Sequence, residues 1–422
     1  MNCVEALKHI VFKQLSEVAK DISMPAYVVG GFVRDFFLGI ENDDIDIVVE
    51  GSGIEFAKSF AQKVNGKLSY YENYGTAMVK WSNIEIEFVG ARKETYVRGS
   101  RNPIVEEGTL YDDISRRDFT VNAMAISLNE NTYGELIDFF NGLEDLKAKI
   151  LKTPLNPDIT FTDDPLRMFR AVRFVSKLQG FQITDDVKTS IQRNAYRSEI
   201  LTRERITMEV EKMLSYVNPT DGLNLFQELN LWCYAFPNTD YCLKYVKCIG
   251  MTYDIDIRWF FLSLKYKKTY DEFVKELKLS NERCNILKKI HYTWICFTRV
   301  DYPELPITRS CLEYSEEYAF KGLTAAFIYA QINAKHDSCD LNDWYSYTIN
   351  IFNENRNFIH YKLPCDGNEI SEYSGLPQGK NLGYLMKDIK AKIFSGELNN
   401  TRDSVYAYVR YKKMKKLILN EE

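Results

Sequence analysis

The sequence predicts an α+β chain. A head of mixed strands and helices, α/β or α+β in its own right, spans residues 1–150, and only helices follow. Three observations predict this. Short β-type runs recur through the head and stop near 150. From Asp163 onward, Leu166, Phe169, Val172 and Val175 recur every three residues, which is helical spacing. Pro219, Gly222, Pro237, Gly250, Pro303, Pro306 and Gly322 then punctuate a series of helices.

The head reads in order as follows. Ala26–Val29 (AYVV) is a β-type run that ends in Gly30-Gly31, and Phe32–Leu38 is a short helix. Ile45–Val49 is a strand and Ile54–Val64 an amphipathic helix. Gly75–Trp81 and Ile84–Val89 are strands, and Thr120–Leu128 begins with strand character.

Composition excludes several function classes. At roughly 100–200 residues per domain, 422 residues make two to four domains. With 45% hydrophobic and 27% charged residues, the chain is not a long disordered one. Lys+Arg of 54 against Asp+Glu of 59 gives −5, which excludes a uniformly basic nucleic-acid binder but not a locally basic one. No run approaches 18 apolar residues, so no membrane span is expected. Met1–Lys20 lacks the uninterrupted apolar centre of a signal peptide. Nine Cys without a CxxC, and four scattered His, read as reduced thiols in a cytoplasmic protein rather than a disulfide framework or a zinc site.

The segment VVGGFVRDFFLGIENDDIDIVVE carries the first chemistry. Strand, Gly-Gly turn and helix aim unpaired N–H groups and a positive dipole end at one place, which suits phosphate oxygens. Gly30 and Gly31 let the backbone approach closely, and Arg34 can add charge to the same anion. Asp44 and Asp46 flank Ile45, so the strand period of two points both carboxylates to one face. Like charges so placed repel unless a cation sits between them, which suggests Mg²⁺ and two-metal phosphoryl chemistry. Asp254-Ile255-Asp256 has the same spacing without a glycine turn upstream and reads as a helix N-terminus. A third carboxylate belongs on a neighbouring strand, where Glu85 and Glu87 share a face and periodicity does not choose between them.

GGFVRDFFLG followed by DID, then EFVGARKETY, RRDFTVNAMA, DFFNGLEDL and DDPLRMFRAVRF, resemble the successive motifs of the class II tRNA nucleotidyltransferases. These are the bacterial and eukaryotic-type CCA-adding enzymes, related to bacterial poly(A) polymerases. The resemblance covers roughly residues 26–176. It implies a polymerase-β-like nucleotidyltransferase head at 1–150, then a helical neck at 151–222, a body at 223–300 and a tail at 301–422. It selects Glu87 as the third catalytic carboxylate beside Asp44 and Asp46, the latter two holding two Mg²⁺ ions. It assigns Gly30, Gly31, Arg34 and Arg117 to the nucleotide, with Arg117 on the triphosphate or ribose. It places Asp164, Arg167, Arg170 and Arg173 at the neck site for the incoming base. It implies CTP and ATP as substrates and tRNA as partner, at its acceptor stem, elbow and 3′ end.

The neck motif makes chemical sense by itself. Asp164 and Arg167 stand three apart and would share a helix face. Cytosine and adenine each offer an exocyclic amine beside ring acceptors, so a carboxylate and a guanidinium can read both, while uracil and guanine present a carbonyl to the carboxylate. Arg167, Arg170 and Arg173 form an i, i+3, i+6 row suited to phosphate, whereas Asp118 and Asn122 read as holding a turn. Residues 94–105 read as a loop which, in the family, is associated with the final A addition, and its length points to complete CCA synthesis.

Two departures matter. Ile257–Lys265 resembles the helix that bears a His-Asp metal pair in relatives with a phosphohydrolase segment, but Leu264 and Lys265 stand there, so that activity is not expected. Residues 377–417 hold ten Lys/Arg and three Asp/Glu, 10 − 3 = +7, which fits a tail that contacts tRNA phosphates.

Overall fold

The computed structural model describes residues 1–72, 75–95, 104–298, 311–312, 315–333 and 338–419. The chain divides into two compact units, Met1–Ile255 with Lys265–Leu279, and Asp256–Leu264 with Ser280–Glu422.

The first unit is built on a seven-stranded mixed sheet. In chain order its strands are β1 (Ala26–Val29), β2 (Ile45–Val49), β3 (Lys67–Tyr71), β4 (Thr76–Trp81), β5 (Ile84–Gly90), β8 (Ala125–Ser127) and β9 (Leu136–Ile137). Their spatial order is β3-β4-β5-β2-β1-β8-β9, with β2 and β5 parallel and the other pairs antiparallel. Between them β6 (Arg92–Thr95) and β7 (Ile104–Glu107) form a separate antiparallel pair. The loop expected at 94–105 therefore starts and ends in strand, and its residues 96–103 lie outside the described residues.

Helix α1 (Ile10–Asp21), α2 (Gly31–Leu38) and α3 (Gly53–Val64) flank the sheet. Alternation sets the packing: Ile86 and Phe88 of β5 and Ala77 and Val79 of β4 are buried, while their neighbours Glu87 and Met78 are exposed. Phe56 and Phe60 of α3 cover that buried face, with ring centroids 5.7 and 5.6 Å from Phe88. Ser52 caps α3 by accepting from the Glu55 N–H, and left-handed Asn65 ends it. On the other face, α4 (Leu110–Ser115) packs Leu110 and Ile114 on Val29, Val48 and Ala125.

After α5 (Gly142–Ala148) come α6 (Pro157–Asp163), α7 (Leu166–Lys177), α8 (Asp185–Asn194), α9 (Arg203–Ser215) and α10 (Thr220–Glu228). The head elements predicted from sequence lie where expected to within a residue or two, except that Thr120–Asn122 is a 3₁₀ turn and the strand begins only at Ala125. Two strand features went unpredicted. Edge strand β3 shows four exposed residues out of five, so its sequence has no apolar alternation to read. Beyond residue 150, β10 (Ile150–Leu151) pairs in parallel with β11 (Gln182–Ile183), a two-residue ladder too short to carry a period.

The second unit is helical among the described residues: Ile255–Ser263, Asn281–Thr298, Glu316–Asn333, Ser338–His360, Gly367–Ser374, Lys380–Phe394 and Arg402–Leu419. One core gathers Phe297, Leu323, Trp344 and Phe352. Another gathers Ile370, Leu382, Ile389 and Val405. The second Asp-x-Asp pair starts a helix, as expected, and Asp256 is held there by Arg283 and Lys321. That helix ends at Ser263, just before Leu264 and Lys265. Among the described residues, no helix is long and apolar enough to cross a membrane.

Candidate active site

The chain leaves β1 through Gly30 (φ 75°, ψ −129°) and enters α2 at Gly31. A side chain at Gly30 would place its Cβ 2.9 Å from Arg117 Nη1 and 3.7 Å from Asp46 Oδ2, in a backbone region that L residues rarely adopt. Gly30→Ala should therefore cost about 1–3 kcal/mol of stability and displace the Arg117 guanidinium. The check is a lower Tm together with weaker nucleoside triphosphate binding in a titration.

Three carboxylates form one wall. Asp46 lies on β2, opposite Glu87 in the parallel β2–β5 register, and Asp44 immediately precedes the strand. Glu85, the other sequence candidate, instead pairs with Lys80 at 2.7 Å on the exposed surface. Burial, against the pull of Arg117 and with the push of Glu87 and Asp44, raises the Asp46 carboxyl to about 6. Among the described residues no three His, Cys, Asp or Glu side chains close into a metal cage. The donor set nonetheless fits Mg²⁺, which takes one or two carboxylates plus substrate phosphate oxygens rather than an all-protein cage.

Cationic side chains share the cavity with them. Gly30, Gly31, Arg34, Asp44, Asp46, Glu87, Arg117, Asp164, Arg167, Arg170 and Arg173 all line one cavity of about 530 Å³. Every residue assigned to the site in the sequence analysis thus lines one cavity. Asn42, Arg116, Lys177 and Arg205 line it too, and sequence reasoning missed them. Lys177 continues the arginine row four residues past Arg173, which was a readable signal. Arg205 belongs to no motif, and only the fold of α9 brings it in.

Ion pairs fix the arginines. Buried Arg34 donates from Nε and Nη2 to Asp35 at 2.7 and 2.8 Å and from Nη1 to Asn122 Oδ1 at 2.6 Å. Arg117 donates to Asp113 Oδ2 at 3.1 and 3.3 Å. Asp118 is buried and accepts from Phe119 N at 2.9 Å, Asn122 Nδ2 at 3.0 Å and Arg170 at 2.6 and 2.7 Å. Burial would raise the Asp118 carboxyl, but the Arg170 charge and these hydrogen bonds win and hold it at about 2. Phe174 lies under three guanidinium groups, those of Arg173, Arg34 and Arg170, at 4.4, 5.4 and 5.6 Å.

Two local expectations differ in geometry. Asp164 is not on the same helix as Arg167: it sits in the extended link between α6 and α7, one residue before Pro165, the N-cap of α7. A proline there excludes the α conformation for Asp164. Its carboxylate accepts from Leu166 N at 3.1 Å and from Arg205 Nη2 at 3.3 Å, while Arg167 donates to Thr160 O at 3.3 Å. Arg173 is held by Glu209 at 2.5 Å and donates to Tyr216 Oη at 3.1 Å, so the three-arginine row is not one uniform phosphate-facing stripe.

Comparison with known proteins shows what the chain is similar to. A family model described as the poly A polymerase head domain matches residues 26–152, and one described as the probable RNA and SrmB-binding site of polymerase A matches residues 180–243. The A-adding tRNA nucleotidyltransferase of Aquifex aeolicus is 38% identical over 212 residues, 48% of this chain and 25% of that protein. The enzyme of the same description from Halalkalibacterium halodurans is 31% identical over 55% of this chain and 56% of its own length. The chain thus spans about a quarter to a half of the length of these relatives. The CCA-adding enzyme of Ligilactobacillus salivarius is 28% identical over 92% of both chains. Among solved structures, an apo CCA-adding enzyme superposes with a TM-score of 0.75 at 26% identity, covering 98% of this chain and 99% of its own. The Bacillus stearothermophilus CCA-adding enzyme in complex with CTP gives 0.74 at 25% identity over 96% and 98%. Motif order, both family models and end-to-end structural likeness agree, and the chain is similar to the class II CCA-adding enzymes and, in its head, to the poly(A) polymerases.

Proposed function

We propose that the chain adds C, C and A to the 3′ end of tRNA, without a nucleic-acid template, from CTP and ATP. The observation that carries this reading is one cavity lined both by Asp44, Asp46 and Glu87 and by five family-motif arginines, Arg34, Arg117, Arg167, Arg170 and Arg173. Likeness to these nucleotidyltransferases implies divalent-metal catalysis. Two Mg²⁺ ions, held by Asp44 and Asp46, would supply a lowered pKa for the attacking hydroxyl and charge neutralisation of the triphosphate.

The chain's own residues do the rest. Glu87, beside Asp46, orients the RNA 3′-hydroxyl toward the α-phosphate. The bond from the 3′ oxygen to the α-phosphorus forms as the α–β phosphoanhydride breaks, and pyrophosphate leaves. The Gly30-Gly31 turn and Arg117 hold the triphosphate, with Arg34 bracing the turn from within and Arg170 and Arg173 adding positive potential. Asp164 and Arg167 read the base edge: the carboxylate accepts from the exocyclic amine, and guanidinium N–H groups beyond the one on Thr160 donate to ring acceptors. Asp164→Ala should thus raise misincorporation of UTP and GTP relative to CTP and ATP by about ten-fold, read from single-nucleotide extension products.

In this reading residues 1–150 are the head, 151–222 the neck, 223–300 the body and 301–422 the tail. The basic stretch 377–417 contributes to holding tRNA. Eight described cysteines are unbridged, which fits a reducing, cytoplasmic setting.

A second reading, addition of the terminal A alone, draws on the 38% identity to an A-adding enzyme over 212 residues. The decisive experiment offers three tRNA primers, ending before CCA, after C and after CC, with Mg²⁺ and each nucleoside triphosphate singly, then CTP plus ATP. Growth by C, C and A followed by a stop supports the first reading. Extension of the CC primer alone, by one A, supports the second, and a long A tract names poly(A) synthesis. Absence of extension on every primer overturns all three.

A further inference from the structure

The strand register extends the carboxylate wall outward. Val29, Asp46, Glu87, Met78 and Ser69 are partners in one row across β1, β2, β5, β4 and β3. Paired residues share a face, so their side chains stand on the same side of the sheet. At the β1 end this face is covered by α4 and continues into the arginine-lined cavity. At the β3 end it is open. Met78 is 39% exposed and Tyr71, on the same face two residues along β3 from Ser69, is 64% exposed. Strand spacing puts Met78 about 5 Å and Tyr71 two spacings, roughly 10 Å, outward from Glu87. Lys67, also exposed, stands on this face at the far end of β3.

Geometry divides the two substrates. A triphosphate needs cations, and Arg117 and Arg34 lie by the Gly30-Gly31 turn at the end of β1. The attacking hydroxyl must reach the carboxylates from the side that remains. That side offers a thioether one strand out, on β4, and an aromatic ring and a lysine two strands out, at opposite ends of β3, the kind of surface on which unpaired bases stack and a phosphate is neutralised.

We propose that the open sheet face outward from Glu87, with Met78 and then Tyr71, is the bed for the last unpaired nucleotides of the acceptor RNA. Met78 seats the terminal nucleotide beside Glu87, Tyr71 stacks on the base before it, and Lys67 meets the backbone. All three are positioning residues. The inference rests on the reading that the chain extends RNA 3′ ends.

The test is the Tyr71→Ala/Met78→Ala double variant, with Tyr71→Phe as the conservative control, on an acceptor RNA carrying 2-aminopurine as its penultimate base. Expected are a rise of about ten-fold in the KM for RNA, a nucleoside triphosphate KM changed less than about two-fold, and loss of the 2-aminopurine quench seen on binding to the parent. Tyr71→Phe should restore both RNA readouts. An active double variant with unchanged RNA KM and unchanged quench overturns the proposal, as does a variant whose only change is in self-association measured by sedimentation. The fluorescence arm needs no turnover. A parent that binds and quenches without extending RNA would reject the proposed activity yet support the bed, and a parent that neither binds nor extends would reject both.

Discussion

Asp46→Asn should abolish nucleotide transfer, by on the order of 10³-fold or more in kcat, while leaving acceptor RNA binding within about two-fold. In the proposed mechanism the carboxylate is one of two that hold the metal ions, and the amide that replaces it carries no charge. The same variant should also be the more stable protein when divalent ions are chelated. Burial first, then Glu87 and Asp44, push the Asp46 carboxyl up to about 6 against the pull of Arg117. A carboxyl whose folded pKa lies above its unfolded value opposes folding once ionised. The penalty is absent below about pH 4, grows between about 4 and 6, and is complete above 6. In chelator at pH 8 the variant should therefore melt above the parent, and the two should converge below pH 4. Added Mg²⁺ should raise the Tm of the parent more than that of the variant. A variant that is inactive and also melts below the parent at pH 8 would show damage to the fold instead, and would remove Asp46 as a charge the fold tolerates for function.

Much of the head was legible because its strands bury one face. Ala26–Val29 and Ile45–Val49 show their burial directly in apolar runs, and the structure keeps those bounds. Strand β3 was not legible, because one face of it stays open and Lys67, Tyr70 and Tyr71 do not alternate in polarity. The carboxylates were readable as a pair from their spacing, but periodicity left Glu85 and Glu87 open and only the motif resemblance chose Glu87. Both share a face, and only the β2–β5 register sets Glu87 beside Asp46. The ion pairs were still less readable. Asp118 meets Arg170 across 52 residues and Arg173 meets Glu209 across 36, so no local pattern announces them. Asp164 shows the opposite failure. The i, i+3 spacing to Arg167 suggested one helix, yet Pro165 was visible in the sequence and by itself disfavours a helical residue before it.

Asp118→Ala should lower stability by about 3 kcal/mol and loosen the nucleotide side of the cavity without touching the carboxylates. The magnitude is the low end for one-sided removal of a buried ion pair, because the Arg170 side chain is 35% exposed and partly screened. The aspartate is the middle of a chain of contacts. Arg170 on α7 binds Asp118, Asp118 holds the Asn122 amide, and the Asn122 carbonyl receives Arg34 Nη1 of α2. Losing the middle frees Arg170, releases Asn122 and unseats Arg34 at the glycine turn. The KM for nucleoside triphosphate should rise several-fold more than kcat falls, because the attacking side remains intact. The pH signature has the opposite sign to that of Asp46. With its folded pKa at about 2, below the usual carboxylate value of 3.8, Asp118 contributes stability in full above about pH 4, and that contribution is lost as pH falls toward 2. The parent should therefore lose its advantage over Asp118→Ala across that window in acid-unfolding curves. An advantage that persists undiminished at pH 2 would mean that packing, not the ionised pair with Arg170, accounts for the difference.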